Sequence, residues 1–488
     1  MTSDRLTYAE ALAELESRGR FGIRLGLGRT NALLAQLDHP ERSFRGALIA
    51  GTNGKGSVLA LMGSALTAAG YKVGMTPKPH LVTYRERLQI GGRPVDRETF
   101  ARLASDVLTA ADKISRRHGD PTEFELLTAI TFLWFAEVGL DLAVVEVGLG
   151  GRLDATHAWD GGVAVVTNIA LDHMDRLGST IEAIANEKAA IIMRGDLAVT
   201  GARGSALEVI ERRSRGVRAP LTVTPPAPLL SADRDGIEVE LGRLGRVRVG
   251  LRGRHQAANV AVADAALDAL ETAGIARVAG EWRRAGYGTV RWPGRLELVV
   301  AAGREILLDG AHNPAGAATL AEALDDIAPL LHPGRPTLVL AIMADKDVDG
   351  VIRALAASTY LRAARVICTS PAGGRAMPAD QLAARCESLA GWAAEAVTDP
   401  ADALDAATSS GSGSGRGSGR GSGFGRGSGG SGGGSGGSGR GASEGSGAAT
   451  GPIIVAGSLY LVGAARAILV SDPLLEPDPP ATHHEAMS

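Results

Sequence analysis

The sequence predicts an α/β protein. A P-loop domain built on a parallel sheet is followed by a smaller Rossmann-like α/β domain that carries a disordered Gly/Ser-rich insertion. Three observations carry this. The apolar run Gly46-Ala47-Leu48-Ile49 ends in Ala50-Gly51-Thr52-Asn53-Gly54-Lys55-Gly56-Ser57 and leads into a stretch of helical spacing. Near-continuous apolar runs of strand length recur along the chain between helical stretches, the pattern of a parallel sheet covered on both faces. Residues 409–450 are almost entirely Gly and Ser and cannot bury enough apolar surface to offset their ordering entropy.

Taken in order, residues 8–18 place Ala11, Leu12 and Leu15 on one side of a helix. The glycine-rich turn comes next. A strand that ends in such a turn with a lysine and then enters a helix converges backbone N–H groups on an anion. Lys55 adds a point charge and Ser57 an oxygen for magnesium. Val58, Leu59, Leu61, Met62, Ala65 and Leu66 supply the apolar face of the helix. The usual pattern puts Ser or Thr directly after Lys, and here Gly56 intervenes, so a plain strand-to-helix turn is the alternative. Residues 71–75 read as a second strand, 124–138 as an apolar helix, and 141–147 and 162–167 as buried strands. Residues 221–249 read as short strands with polar turns, and helix 256–270 closes the first domain. The second domain starts near Trp292-Pro293-Gly294-Arg295 and alternates strand 306–308, helix 316–324, strand 337–341, helix 351–357 and strand 365–368. An unconstrained coil over 409–450 would hold its ends about 35 Å apart. Beyond it, Pro452-Ile453-Ile454-Val455-Ala456 reads as a buried strand running into a helix, so the insertion interrupts the second domain and does not end it.

Composition narrows the class. At 488 residues, with 45% hydrophobic and 22% charged side chains, the chain has the profile of a globular protein of two domains. A net charge of −3 offers no footprint for nucleic acid or an anionic membrane. The arginines of the Gly/Ser tract are few, and Phe424 is its lone aromatic, too little for an RNA-binding segment. Cys368 and Cys386 lack metal-site spacing and read as inert thiols. The N-terminus shows no secretory pattern and no segment is apolar enough to span a bilayer, so a cytoplasmic location is expected.

Several polar residues fall just past strands, where an open parallel sheet forms its ligand crevice. Glu146 precedes Gly148-Leu149-Gly150-Gly151, where a carboxylate suits magnesium beside a nucleotide; a satisfied strand-end glutamate is the alternative. His173 follows another strand, within Asp172-His173-Met174-Asp175, and reads as a ligand or as a hydrogen-bonded structural imidazole. Lys188 opens an apolar segment and taken alone is an ordinary surface lysine. Asp309 and His312 follow a strand of the second domain, and Arg295 lies near the domain joint, where it can reach a phosphate from the far side.

These segments, with Gly457-Ser458-Leu459-Tyr460, together resemble the bifunctional folylpolyglutamate synthase/dihydrofolate synthase family of the Mur ligase superfamily. The resemblance implies a Mur-ligase-type ATP-binding domain over residues 1–292 and a glutamate-ligase domain over 293–488, interrupted at 409–450. It implies a ligase using ATP and magnesium, with two ions expected, to join L-glutamate to dihydropteroate or folate. A carboxylate becomes an acyl phosphate, the amine of glutamate attacks, and ADP and phosphate leave. By the same resemblance Asn53, Gly54, Lys55, Gly56 and Ser57 cradle the ATP phosphates, and Asn259, Arg295 and Asp309 complete the nucleotide contacts. Ser57, Glu146 and His173 hold metal. Lys188 corresponds to a lysine that becomes carbamylated, and His312 lies in the catalytic cleft near phosphate or glutamate. Thr122, Glu123, Phe124 and Glu125, and Leu153, Asp154 and Ala155, correspond to pterin-contacting segments. A monomer is expected, with no nucleic-acid or membrane partner.

The chain departs from that pattern in three places, one of them the Gly/Ser insertion, which lies in the domain expected to bind glutamate and is expected on its surface. Where many relatives read Ser-Pro-His-Leu it has Lys78-Pro79-His80-Leu81, and His157 stands where asparagine is common. The serine of that motif contacts a metal, which a protonated lysine does not do; Lys78 is suited instead to neutralising phosphate charge. Two rival readings are a ligase acting on a cell-wall or other acid precursor, and a P-loop switch that ligates nothing.

Overall fold

The computed structural model describes residues 5–19, 24–371, 375–409 and 450–479; the insertion expected at 409–450 falls almost wholly outside the described residues. In the N-terminal lobe an eight-stranded sheet collects β1 (Gly46–Ala50), β2 (Val73–Thr76), β3 (Gln89–Ile90), β4 (Arg93–Pro94), β5 (Leu142–Glu146), β6 (Gly162–Val166), β7 (Leu197–Thr200) and β8 (Leu221–Val223). Their order is β4-β3-β2-β5-β1-β6-β7-β8, parallel except for the β3–β4 edge hairpin. β1 lies between β5 and β6, and the chain crosses over it in going from one to the other. The carboxyl end of β1 is therefore the switch point where such sheets bind ligands. Every residue of β1 and β5 is buried, as the continuous apolar runs require.

One face of this sheet is covered by α1 (Tyr8–Gly19), α2 (Gly28–Gln36), α4 (Arg97–His118), α5 (Glu123–Val138), α7 (Ile181–Ala189) and α8 (Gly204–Val217). The other carries α3 (Lys55–Ala68), α9 (Gln256–Thr272) and α10 (Gly280–Thr289). A short helix, α6 (Met174–Leu177), lies on the crevice side after β6. The mixed region divides: β8 joins the large sheet, while β9 (Leu229–Asp233), β10 (Gly236–Leu241) and β11 (Gly245–Val249) form a separate antiparallel sheet. Helix 256–270 does not close the lobe as expected. α10 follows and packs so tightly on α3 that a Cβ on Gly286 would lie 2.4 Å from the Ala65 Cα.

In the C-terminal lobe the six-stranded sheet runs β12-β13-β17-β14-β15-β16, from β12 (Glu297–Ala301), β13 (Arg304–Leu308), β14 (Arg335–Leu340), β15 (Arg365–Cys368), β16 (Ala394–Ala396) and β17 (Thr450–Ala456). Only β12 is antiparallel. β17, the strand that follows the interruption, is central, between β13 and β14. α11 (Pro314–Ile327), α12 (Val348–Ala356) and α13 (Ala379–Ala390) cover one face; α14 (Pro400–Thr408) and α15 (Leu459–Leu469) cover the other. Cys368 and Cys386 are free, buried, and 3.9 Å apart at sulfur. The chain then returns to the N-terminal lobe, where the Asp478 carboxylate accepts hydrogen bonds from the Tyr8 and Thr83 hydroxyls and the Tyr84 N–H. Among the described residues no helix is long and apolar enough to cross a membrane.

Candidate active site between the two lobes

The turn after β1 is held from two sides. Gly51 sits at φ 150°, and a Cβ there would be 1.9 Å from the Thr167 hydroxyl; Gly54 sits at φ 83°, with a Cβ position 2.4 Å from Asn259 Oδ1. Only glycine allows both approaches. The segment after β6 pins the turn: Asn53 N–H donates to Asn168 Oδ1 at 2.9 Å, and the Thr167 hydroxyl donates to Asn53 O at 2.6 Å. The helix starts at Lys55, three residues before the apolar face begins, so Lys55, Gly56 and Ser57 form its first turn. Lys55 Nζ donates to Thr52 O at 3.1 Å and lies 4.0 Å from Glu146 Oε1. Burial lowers the Lys55 pKa against the pull of Glu146, and raises that of Glu146 against the pull of Lys55. Asn259, on α9, donates to Gln256 Oε1 at 2.8 Å.

A second cluster joins the lobes. Asp172 Oδ1 accepts from Lys346 Nζ at 2.8 Å, Oδ2 accepts from Asn313 Nδ2 at 3.0 Å, and His312 Nε2 stands 3.7 Å from Oδ2. Lys346 Nζ also lies 3.1 Å from His173 Nε2, and the side chains of Asn53 and Asn313 exchange hydrogen bonds. Burial pushes the Asp172 carboxyl up, yet Lys346, His173 and His312 hold it well below the usual carboxylate range. Burial lowers the pKa of both imidazoles, that of His312 to about 4, with Lys346 adding to the effect, so both are neutral at pH 7. Lys188, at the end of α7, is pushed down to about 7 by burial and then by Lys55. Behind the cluster, Asp309 accepts from the N–H groups of Leu296 and Ala311, both at 2.9 Å; burial raises its pKa and Arg295 opposes the rise.

The expected pterin segments divide. Thr122 and Glu125 form a capping box at the start of α5, and Glu125 also pairs with Arg29. Asp154 is occupied by Leu149 N–H and by the N–H and hydroxyl of Thr156, and lies between Leu153 and Ala155 at the start of a short turn. Glu123 accepts from the Tyr84 hydroxyl at 3.0 Å. Phe124 is the member left to face a ligand: it lines a narrow cavity with Thr76, Lys78, Leu127, Phe132 and Thr156. A larger cleft of about 580 Å³ opens on the other side of Lys78, between Pro79, Trp292, Arg295 and Leu459. His157 Nδ1 lies 3.1 Å from Arg152 O, and His157 lines neither cavity.

Lys346, Asn168 and Trp292 went unread in the sequence. Met343-Ala344-Asp345-Lys346-Asp347 just past β14 is the same signal that marked Glu146 and His173. Trp292 supplies the reason for the irregular Gly56: a Cβ there would lie 2.8 Å from the indole nitrogen. Among the described residues no three His, Cys, Asp or Glu side chains converge on one point. Glu146 is thus a single carboxylate beside the phosphate turn, with Oε2 taken by the Lys78 N–H at 3.0 Å. That suits magnesium, which draws most of its ligands from phosphate and water.

A phosphate turn at the switch point of one sheet, facing polar residues from a second α/β lobe, is the arrangement of a Mur-type ligase. The Mur ligase middle domain matches residues 49–267 and the Mur ligase glutamate ligase domain matches residues 294–416. The chain is 36% identical over 358 residues to the dihydrofolate synthase/folylpolyglutamate synthase of Bacillus subtilis, covering 71% of this chain and 82% of that one. Mycobacterium tuberculosis folylpolyglutamate synthase, solved with ADP and AMPPCP, superposes with a TM-score of 0.80 at 31% identity, over 96% of this chain and 100% of that one. E. coli FolC with DHPP and ADP gives a TM-score of 0.75 at 27% identity, over 95% and 98%. The Yersinia pestis bifunctional enzyme with AMPPNP and a manganese ion gives 0.75 at 26%, over 96% and 99%. The chain belongs to the dihydrofolate synthase/folylpolyglutamate synthase family. The cell-wall and nucleotide-switch readings give way to it.

Proposed function

We infer that the protein is an ATP-dependent ligase that joins the amino group of L-glutamate to the carboxyl group of dihydropteroate, of a (tetrahydro)folate, or of both. The observation that carries this reading is the meeting of Lys55 and Glu146, beside the phosphate turn, with a cluster in which Asn313 and Lys346 reach Asp172 from the other lobe. A nucleotide switch needs no such groups from a second lobe; a reaction joining two acids through a phosphorylated one does.

The γ-phosphoryl group of ATP passes to the substrate carboxylate, and ADP leaves with the bridging oxygen. The glutamate amine then attacks the carbonyl carbon, and phosphate departs as the C–N bond stands. Such chemistry asks for positioning and charge stabilisation more than for covalent help. Asn53, Gly54, Lys55, Gly56 and Ser57 cradle the phosphates, with Asn259, Arg295 and Asp309 supporting the nucleotide. Ser57, Glu146 and His173 would hold divalent metal, two ions in all, whose chemistry is to neutralise the phosphate charge. Neutral His312 suits the amine's proton or the departing phosphate. Thr122, Glu123, Phe124, Glu125, Leu153, Asp154 and Ala155 surround the pterin, Phe124 by contact and the others by shaping its wall. Lys188, with its pKa near 7, is suited to take up carbon dioxide and turn from a cation into an anionic oxygen donor.

We further propose functional domains of residues 1–292 and 293–488, a monomer, and a cytoplasmic location. The test supplies purified protein with ATP, magnesium, glutamate and either dihydropteroate or tetrahydrofolate. ADP release that requires both glutamate and the pterin acid is expected; release independent of either would overturn the assignment.

A further inference from the structure

α11 meets the N-terminal lobe at both of its ends. At its start Asn313, the N-cap, donates to Asp172 Oδ2 at 3.0 Å and exchanges hydrogen bonds with Asn53. In its last turn Asp326 accepts two hydrogen bonds from Arg254, from Nε at 2.7 Å and from Nη2 at 2.5 Å. α11 has 14 residues, which makes it a rod about 20 Å long. The second contact therefore lies far from the groups that face the phosphate turn, and the chemistry proposed above makes no use of it.

The Arg254–Asp326 pair belongs to a seam of such contacts. Arg234, in the turn between β9 and β10, meets the buried Glu305 carboxylate of β13 and donates to Leu330 O at 3.5 Å, just past α11. Arg252 donates from Nε to Arg234 O at 2.5 Å and from Nη1 to Leu296 O, in the connector between the lobes, at 3.2 Å. The backbone of Arg254 is tied to the start of α9, where its carbonyl accepts from the Ala257 N–H at 3.1 Å. Two residues further on stands Asn259, whose Oδ1 crowds Gly54 of the phosphate turn.

A bidentate guanidinium–carboxylate pair fixes direction as well as distance. A rod bonded at one end can swing, whereas one bonded at both ends points one way. We propose that Arg254 is a positioning residue for the ligation: by holding Asp326 it sets the direction of α11, and so brings Asn313 to Asp172 and Asn53 across the cleft. The inference rests on the function proposed above and deepens it. Arg254 touches no reacting atom and acts through α11 alone.

Charge reversal in the full chain tests this. Both side chains reach solvent, Arg254 at 54% and Asp326 at 28% exposure, so reversal leaves the core untouched. The readouts are glutamate-dependent ADP release with dihydropteroate, ATP and magnesium, and AMPPCP binding by isothermal titration. Arg254→Glu and Asp326→Arg are each expected to lower kcat/KM for glutamate about fivefold while AMPPCP affinity stays within about twofold of wild type. The double variant, which restores the pair with its charges exchanged, is expected to return kcat/KM to within about twofold of wild type. Single variants that turn over as wild type does, or a double variant no better than the poorer single, overturn the proposal. So does a single variant that loses AMPPCP binding in step with kcat/KM. Arg254→Gln removes the pair without adding repulsion and decides the matter where a reversal fails to fold. A fall in kcat/KM with AMPPCP binding kept supports the proposal, and wild-type turnover overturns it. Wild-type protein that releases no ADP in response to glutamate overturns the functional reading itself.

Discussion

Lys55 and Glu146 hold each other in unfavourable surroundings: burial works against the charge on each, and their mutual attraction works for it. Removing the lysine therefore withdraws the proposed phosphate contact and leaves a buried carboxylate without its cation. Lys55→Ala is expected to lower the rate of ADP release by about 10²–10³-fold, the scale of losing one preorganised charge contact in a transition state. An effect under threefold would exclude Lys55 from the phosphate site. Lys188 offers a pH handle. Its pKa of about 7 in the folded protein stands against an ordinary 10.5, so between those values the unfolded chain binds the extra proton. Stability should consequently rise with pH across that window. The neutral amine is also the form that would take up carbon dioxide in the proposed carbamylation, which predicts that turnover falls as pH drops through about 7 and recovers in part with added bicarbonate. Lys188→Arg should abolish the bicarbonate response in the same assay. At this scale the strand-end motifs were legible because each follows directly on an apolar strand run, which puts it at the crevice edge. Lys346 carried the same signal past β14 and was missed, because the partners that give it a role, Asp172 and His173, are remote in sequence and are met only across the cleft.

Among the elements, the strands of the parallel sheet were readable because burial on both faces leaves a continuous apolar run. The boundary between residues 221–249 and the sheet was not, since β8 and β9 are both short and only pairing separates them. The start of α3 was not marked in the sequence for a related reason: Lys55, Gly56 and Ser57 are helical but carry no apolar signal. Thr122-Glu123-Phe124-Glu125 shows a motif read as a pterin contact that the structure uses to cap a helix. The Thr-x-x-Glu spacing is a capping box. In the structure both of its hydrogen bonds form, so Thr122 sets where α5 begins and hence where Phe124 faces the cavity. Thr122→Ala is expected to destabilise the protein by about 1 kcal/mol, read as a lower urea midpoint. It should also weaken dihydropteroate binding more than AMPPCP binding, because the proposed nucleotide site lies at the start of another helix, α3. Equal loss of both would argue that α5 does not position the pterin wall.

For the whole molecule, the question is how a chain tolerates a long Gly/Ser tract inside its second lobe. The strand that follows the tract is no appendage. β17 pairs with β13 on one side and β14 on the other, and Ile453, Ile454, Val455 and Ala456 are fully buried. Without it the sheet would part between β13 and β14, and α15, which leads the chain back to Tyr8 and Thr83 through Asp478, would lose the strand it packs on. The tract must therefore let the chain close back into the middle of a formed sheet, and the cost of that closure grows slowly with length. Each doubling of a flexible loop costs about 0.6 kcal/mol. Deleting residues 411–441 leaves a shorter link over the same gap. It should leave the rate of ADP release unchanged and shift the melting midpoint slightly upward, if at all. The two readings must be taken together. A variant that melts normally but has lost glutamate-dependent ADP release would give the tract a part in catalysis; one that fails to fold would show that the remaining link cannot span from α14 to β17. Unchanged activity with an unchanged or raised midpoint is the outcome expected of a connector whose length neither the sheet nor the cleft depends on.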